Sequence, residues 1–230
     1  MSRLKIFTII FIVFLLILMW FIVVGYAYRL QYAQVTFTYD IHQNMYNLMN
    51  HVHTMFGNNN IEYSIAAGTA LGQARNKSII PWDDDMDTYI LPKDSVTVEN
   101  LLKNDPLLRY NLSNFGYQTS FKDAPEKGFL DIFVMYDEGD KLIYKGHLDK
   151  TNEWLYKNEW DLELVDFGPY KVYRMKKYKD YLDRSYGKYW ETIGSISPPH
   201  GKAKGVGALM IDTKWSKLYS NYFAGKKLYE

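Results

Sequence analysis

The longest apolar stretch of the chain runs from Ile6 to Val24, 19 consecutive residues of which only Thr8 is polar. A helix of this length spans about 28 Å, close to the thickness of the hydrocarbon core of a bilayer. No polar stripe runs along it, so a core helix of a soluble domain is not expected. The pattern predicts a transmembrane anchor over residues 6–24, inside a first segment 1–29. The segment Gly25-Tyr26-Ala27 could serve as a cleavage site, so a cleaved signal peptide is the alternative.

Basic residues are distributed unevenly around this stretch. Arg3, Lys5 and the α-amine precede it, and only Arg29 follows it closely. Positive charge is retained on the cytosolic side of a membrane. We therefore expect a single-pass type II protein whose body lies in the Golgi or ER lumen or outside a bacterial membrane.

A helical period follows the apolar stretch. Apolar residues recur every three or four positions from Ile41 to Phe56, and Gly57 and a run of asparagines end the pattern. We predict a helical stem over residues 30–58. Its histidines, His42, His51 and His53, are expected to lie at the surface or at the helix ends.

Residues 59–230 alternate between short strand patterns and short helical patterns, which predicts one mixed α+β domain. Strands are expected over 61–66, 85–91, 116–122, 129–136, 141–145 and 170–175, and helices over 68–75, 94–102 and 177–186.

Composition narrows the class of protein. With 47% hydrophobic and 17% aromatic residues, the body is expected to fold around a core. Three of the 27 basic residues lie in the first 29 positions, which leaves 24 against 26 acidic residues. A nearly neutral body without a basic block argues against nucleic-acid binding. The absence of cysteine excludes disulfides and thiolate zinc sites.

An acidic cluster, Asp83, Asp84, Asp85 and Asp87, stands directly before and inside one predicted strand. Alternate residues of a strand share a face, so Asp85 and Asp87, and also Asp83, can point the same way. Like charges this close repel unless a cation neutralises them, and Mg²⁺ and Mn²⁺ prefer oxygen ligands. The pattern predicts a Mg²⁺ or Mn²⁺ site. A solvated acidic loop is the alternative.

Two further features complete the candidate site. Gly68 and Thr69 come after a predicted strand and open a helix, where backbone N–H groups can approach a phosphate, and Arg75 is a candidate clamp for its oxygens. Asp131 lies within an otherwise apolar strand, where a buried carboxylate needs a partner, and is predicted as a third metal ligand. An edge-strand acid facing water is the alternative for Asp131.

These motifs resemble a known family. A Gly-Thr pair, an Asp-x-Asp strand and a later isolated acid resemble the nucleotidyltransferase superfamily. The segment from Gly68 to Gly72 and from Ile80 to Asp87 resembles the LicD family, which includes fukutin and fukutin-related protein. The segment from Tyr181 to Trp190, followed by Pro198-Pro199, resembles the C-terminal motif of that family.

The resemblance implies a nucleotidyltransferase-like mixed sheet flanked by helices. It also implies transfer of a phosphate-linked group, such as phosphocholine or ribitol phosphate, from a cytidine-diphosphate-linked donor to a glycan, glycolipid or glycoprotein. Asp85 and Asp87 would hold the metal, Asp131 would complete the site, and Gly68 and Thr69 would touch donor phosphates.

Two other functions remain open from the sequence. An Asp-x-Asp glycosyltransferase would use a nucleotide sugar and Mn²⁺, and would release a nucleoside diphosphate instead of a monophosphate. A catalytically inactive, membrane-anchored binding protein would release neither.

Overall fold

The computed structural model describes residues 3–36, 39–144, 154–196 and 209–213. The chain divides into two compact units, Met1–Thr36 and Phe37–Glu230. In the first unit, helix α1 spans Arg3–Thr36. Its segment Lys5–Gly25 is long and apolar enough to cross a membrane, and none of it is buried. The anchor itself stays a prediction, because a signal sequence near an N-terminus can also be long and apolar enough to meet these criteria.

The described part of the second unit contains four further helices and eleven strands. In chain order they are α2 (Tyr39–Asn58), β1 (Tyr63–Ile65), α3 (Ala67–Asn76), β2 (Asp85–Ile90), α4 (Ser95–Asn104), β3 (Leu108–Leu112), β4 (Gly116–Phe121), β5 (Phe129–Glu138), β6 (Lys141–Tyr144), β7 (Leu155–Tyr156), β8 (Leu162–Phe167), β9 (Tyr170–Met175), α5 (Tyr178–Tyr186), β10 (Ile193–Ile196) and β11 (Leu209–Asp212).

Seven of these strands form one mixed sheet. Its order is β1-β2-β5-β4-β3, with β6 beside the C-terminal half of β5 and β7 beside β6. Strands β2 and β5 are parallel, whereas β1 and β4 are antiparallel to their neighbours. Strands β8 and β9 form a separate antiparallel pair, as do β10 and β11. The predicted mixed sheet flanked by helices is thus confirmed.

The two faces of the sheet differ in chemistry. Thr88, Ile132 and Tyr117 are register partners and lie on one face, where the Tyr117 hydroxyl donates to the Ser95 carbonyl at the start of α4. The next residues along the strands, Asp87 and Asp131, lie on the other face. The acids therefore project from the face opposite α4.

Helix α2 belongs to the core of the second unit. It presents an apolar stripe that is at most 1% exposed, formed by Met45, Tyr46, Leu48, Met49, Val52 and Phe56. The part of the predicted stem that forms α2 therefore packs with the rest of the folded body, whereas residues 30–36 belong to α1. The surface position expected for His42 is wrong, because it lies one turn before Met45 and Tyr46 on the buried side and is 2% exposed.

Candidate active site

The acidic face is built around β2 and β5. Asp85 and Asp87 lie two residues apart on β2 and are each 8% exposed. In the parallel pairing, Asp87 stands opposite Asp131 of β5. Carboxylate oxygens of Asp85, Asp87 and Asp131 lie within 4.8 Å of one another. The structure therefore brings together the three acids that the sequence singled out.

Asp131 is oriented by a neighbouring strand. Gln118 of β4 is its antiparallel register partner, and the Gln118 side-chain amide donates to Asp131 Oδ1 at 2.9 Å. Directly opposite residues of neighbouring strands lie on the same face, so this contact follows from the register. The bond fixes one carboxylate oxygen on the β4 side.

The start of α3 is attached to the same strand. The Asp87 amide donates to Thr69 Oγ1 at 2.7 Å, and the Asp87 carbonyl accepts from the Ala66 amide at 2.9 Å. Both main-chain groups of Asp87 are therefore bound to the turn that leads into α3. These bonds place the first residues of the helix beside the carboxylates.

Gly68 lies against the acids themselves. A methyl group added at Gly68 would come 2.8 Å from Asp83 Oδ2 and 3.7 Å from Asp87 Oδ2. Real β-carbons essentially never come as close as the first of these distances. Asp83 also forms a second group of converging carboxylates with Asp84 and Asp85. The lack of a side chain at Gly68 therefore allows the carboxylates of Asp83 and Asp87 to lie close to the start of α3.

This donor set fits a divalent cation. It consists of carboxylate oxygens alone, which are ligands that Mg²⁺ and Mn²⁺ prefer. Asp85 and Asp87 are nearly buried, and placing several carboxylates side by side there is costly without a compensating positive charge. The arrangement could thus hold one ion through Asp85, Asp87 and Asp131, with Asp83 at the edge of the site.

Arg75 lies near the other end of α3. Its Nε donates to the Trp190 carbonyl at 2.6 Å and its Nη2 to the Ile193 carbonyl at 2.7 Å. Burial removes water from the guanidinium and lowers the pKa of Arg75 to about 10. The charge persists at neutral pH, and the side chain ties α3 to the segment after α5. The predicted phosphate contact of Arg75 stays a prediction.

Residues 60–173, which contain β1, α3, β2 and β5, match the model described as LicD/FKTN/FKRP, nucleotidyltransferase domain. The chain belongs to the LicD family. The resemblance read from the sequence motifs is thereby confirmed.

Two of the three relatives described next have names that describe transferases. An uncharacterized protein of Rickettsia prowazekii is 34% identical over 160 residues, covering 68% of this chain and 58% of the relative. The lipopolysaccharide cholinephosphotransferase LicD of Haemophilus influenzae is 41% identical over 119 residues, covering 43% of this chain and 44% of the relative. The ribitol-5-phosphate transferase FKTN of Mus musculus is 26% identical over 180 residues, covering 70% of this chain and 37% of the relative. The chain spans about half the length of these relatives.

Three residues with contacts beside the acids had no role predicted from the sequence. Gln118, in a predicted strand, donates to Asp131. Tyr181, in the C-terminal motif, accepts from the amide of Ala67, the first residue of α3. Each acts through a partner distant in sequence: Gln118 and Asp131 are 13 positions apart, and Ala67 and Tyr181 are 114 apart. A single sequence carries no signal for such pairings.

Proposed function

We propose that this chain is a metal-dependent transferase that moves a phosphate-linked group from a cytidine-diphosphate-activated donor to a glycan. The group would be of the phosphocholine or polyol-phosphate type. The observation that carries the proposal is the convergence of Asp85, Asp87 and Asp131 beside the start of α3, in a chain of the LicD family. Two relatives support the type of group, since their names describe transfer of cholinephosphate and of ribitol 5-phosphate.

Asp85, Asp87 and Asp131 are proposed to hold Mg²⁺ or Mn²⁺, with Asp83 as a further candidate ligand. A bound ion would offset the negative charge that develops on the phosphate oxygens during transfer. Gln118 donates to one oxygen of Asp131, and the remaining lone pairs of that carboxylate are the ones assigned to the ion and to the acceptor.

Gly68 and Thr69 are proposed to face the donor phosphates. They lie in the first turn of α3, whose amides have no acceptor within the helix, and the positive end of the helix dipole favours an anion there. The missing side chain at Gly68 lets a phosphate approach the backbone. Arg75 is proposed as a further phosphate contact through its remaining N–H groups, since its Nε and Nη2 already donate to carbonyls.

In the proposed reaction, the acceptor hydroxyl oxygen forms a bond to the distal phosphorus of the donor. The bond between that phosphorus and the bridging oxygen breaks, and cytidine monophosphate leaves with the bridging oxygen and the electron pair. Asp131 accepts the hydroxyl proton as the new bond forms. Asp85 and Asp87 would contribute by holding the ion beside the phosphates, because positioning of the phosphates is the main requirement for phosphoryl transfer.

The position of the enzyme in the cell is part of the proposal. The apolar segment Lys5–Gly25 supports attachment to a bilayer, and the basic residues before it support a cytosolic N-terminus. The body would then act as a single-pass type II protein on glycans in a lumen or outside a bacterial membrane.

The decisive experiment measures nucleotide release by the full-length chain in detergent. The chain is incubated with Mg²⁺ or Mn²⁺ and with CDP-choline, CDP-ribitol or CDP-glycerol, and parallel samples contain excess EDTA. Metal-dependent release of cytidine monophosphate from one donor is expected, and Asp87→Asn should abolish it. Asp137→Asn, on the neighbouring strand β5 with a 72% exposed side chain, is the matched control and should keep full release.

Each other result contradicts the proposal in a different way. Release of a nucleoside diphosphate from a sugar nucleotide, with no reaction of the cytidine donors, identifies a glycosyltransferase. Binding of a nucleotide without any release identifies a binding protein. Equal release in EDTA contradicts the metal dependence alone.

A further inference from the structure

The segment after β9 contacts helix α3 at both ends. At the N-terminal end, the Ala67 amide donates to the Tyr181 hydroxyl oxygen at 2.9 Å. At the other end, Arg75 donates to the carbonyls of Trp190 and Ile193. The helix that begins with Gly68 and Thr69 is therefore held by α5 and the residues following it.

The N-terminal contact falls on a strained residue. Ala67 has a φ of +39°, a value that L side chains rarely adopt, whereas the preceding Ala66 is extended. The Ala67 amide also belongs to the first helical turn, where no acceptor within the helix exists. Such a backbone conformation persists only where surrounding groups hold it, and the Tyr181 hydroxyl supplies the acceptor here.

Tyr181 also bonds to the acidic strand. It is fully buried, and its hydroxyl lies 3.1 Å from that of Tyr89, two residues after Asp87 on β2. The rings of Tyr89 and Tyr181 meet edge to face at 6.2 Å. A single phenol oxygen therefore joins the turn before Gly68 to the strand that carries Asp85 and Asp87.

We propose that Tyr181 is a positioning residue for the phosphate site. It holds the strained turn at Ala67 in place, so that Gly68 and the Thr69 backbone face the acids at the distance a bound diphosphate requires. This role rests on the proposed function, because it takes the start of α3 to be the phosphate-binding element. Tyr181 itself touches neither donor nor metal.

Two conservative variants separate this role from a general packing role. Tyr181→Phe keeps the ring and loses the oxygen, so both the Ala67 bond and the Tyr89 bond disappear. Tyr89→Phe loses the bond between the two tyrosines and leaves the Ala67 bond intact. The difference between the variants therefore reports on the Ala67 contact.

The test uses the full-length chain in detergent and the probe inorganic pyrophosphate with Mn²⁺. Mn²⁺ binding is followed by its paramagnetic resonance signal, first alone and then with pyrophosphate. Loss of one buried neutral hydrogen bond is expected to raise the Kd for pyrophosphate about fivefold in Tyr181→Phe. Tyr89→Phe should stay within about twofold of the unsubstituted chain, and neither variant should change the Kd for Mn²⁺ alone. Hydrogen exchange of the amides at residues 67–69 should accelerate in Tyr181→Phe only.

The outcomes are distinct. An unchanged pyrophosphate Kd in Tyr181→Phe overturns the positioning role, even if exchange at residues 67–69 accelerates. Loss of Mn²⁺ binding in that variant also overturns it, because the effect is then on the fold of the whole site. If the unsubstituted chain binds Mn²⁺ but no pyrophosphate, the proposed function fails, a result separate from any effect of Tyr181.

Discussion

Replacing Asp87 with asparagine should stabilise the metal-free protein and remove its response to Mg²⁺ and Mn²⁺. Asp87 is 8% exposed, and its carboxylate oxygens lie within 4.8 Å of those of Asp85 and Asp131. Asparagine has nearly the same shape and keeps the main-chain bonds to Ala66 and Thr69. The substitution therefore removes one negative charge with little change in packing.

The magnitude follows from the separation of the charges. Two unit charges 4.8 Å apart repel by about 1 kcal/mol in water and by about 3 kcal/mol at the effective dielectric constant of ~20 that describes protein sites. Asp87 takes part in two such pairs, and loss of hydrogen bonds to its charged oxygens opposes the gain. We expect the free energy of unfolding to rise by about 2 kcal/mol. For a folded unit of this size, Tm should rise by about 4–8 °C.

The assay is thermal unfolding of the full-length chain in excess EDTA and in excess Mn²⁺. The unsubstituted chain should gain stability with Mn²⁺, because an ion that binds only the folded state shifts the equilibrium toward it. Asp87→Asn should melt at the same temperature in both solutions. Asp137→Asn, which changes an exposed acid paired with Lys157 at 3.3 Å, should shift Tm little. A lower Tm for Asp87→Asn in EDTA, or a retained Mn²⁺ response, refutes the reasoning.

Three further substitutions test neighbouring features. Gln118→Met removes the amide that donates to Asp131 and should raise the Mn²⁺ Kd about threefold to tenfold, as measured by titration. Gly68→Ala places a methyl group 2.8 Å from Asp83 Oδ2, so Tm should hold while binding of pyrophosphate with Mn²⁺ is lost. Burial lowers the pKa of His42 to about 4, below its unfolded value of about 6.5. As pH falls, the unfolded chain takes up this proton first, which favours unfolding. In urea unfolding, the loss of stability between pH 7 and pH 5 should therefore be about 2 kcal/mol smaller in His42→Leu than in the unsubstituted chain.

Matched variants control the first two of these tests. Thr119→Val removes a buried hydroxyl bond to the Arg109 carbonyl on the opposite face of β4, and should lower Tm without changing the Mn²⁺ Kd. Gly57→Ala meets no atom within 4 Å and should leave pyrophosphate binding unchanged. Equal effects in a variant and its control contradict the assigned role. An unaltered pH dependence in His42→Leu contradicts the one assigned to His42.

The acidic strand was readable from the sequence because its period is local. Strand alternation alone places Asp85 and Asp87 on one face, and an isolated acid in an apolar run marked Asp131. Their meeting depends on the parallel register of β2 with β5, which pairs Asp87 with Asp131 across 44 positions. The register depends on the pairing of the whole sheet and cannot be predicted from the sequence of either strand alone.

Other elements were not predicted, for physical reasons that differ. In β3 only Leu108 is buried, so this edge strand carries little hydrophobic alternation and depends on pairing with β4. In β8 only Phe167 is fully buried, and pairing with β9 forms the strand. His42 was misplaced because a polar residue on an apolar helix face looks like an exposed one until the packing is known. The Nε2 atom of His42 is buried without a hydrogen-bond partner.

The contacts of Arg75 suggest different roles for the two LicD-like motifs of this chain, the first beginning at Gly68 and the second at Tyr181. Arg75 lies seven residues after Gly68, about 10 Å along the helix axis. Its Nε and Nη2 donate charge-assisted bonds to the carbonyls of Trp190 and Ile193, so a phosphate contact would use its remaining N–H groups. In the proposed site, the first motif would supply the groups that face the ligand. The second motif supplies contacts that fix the helix on which those groups stand.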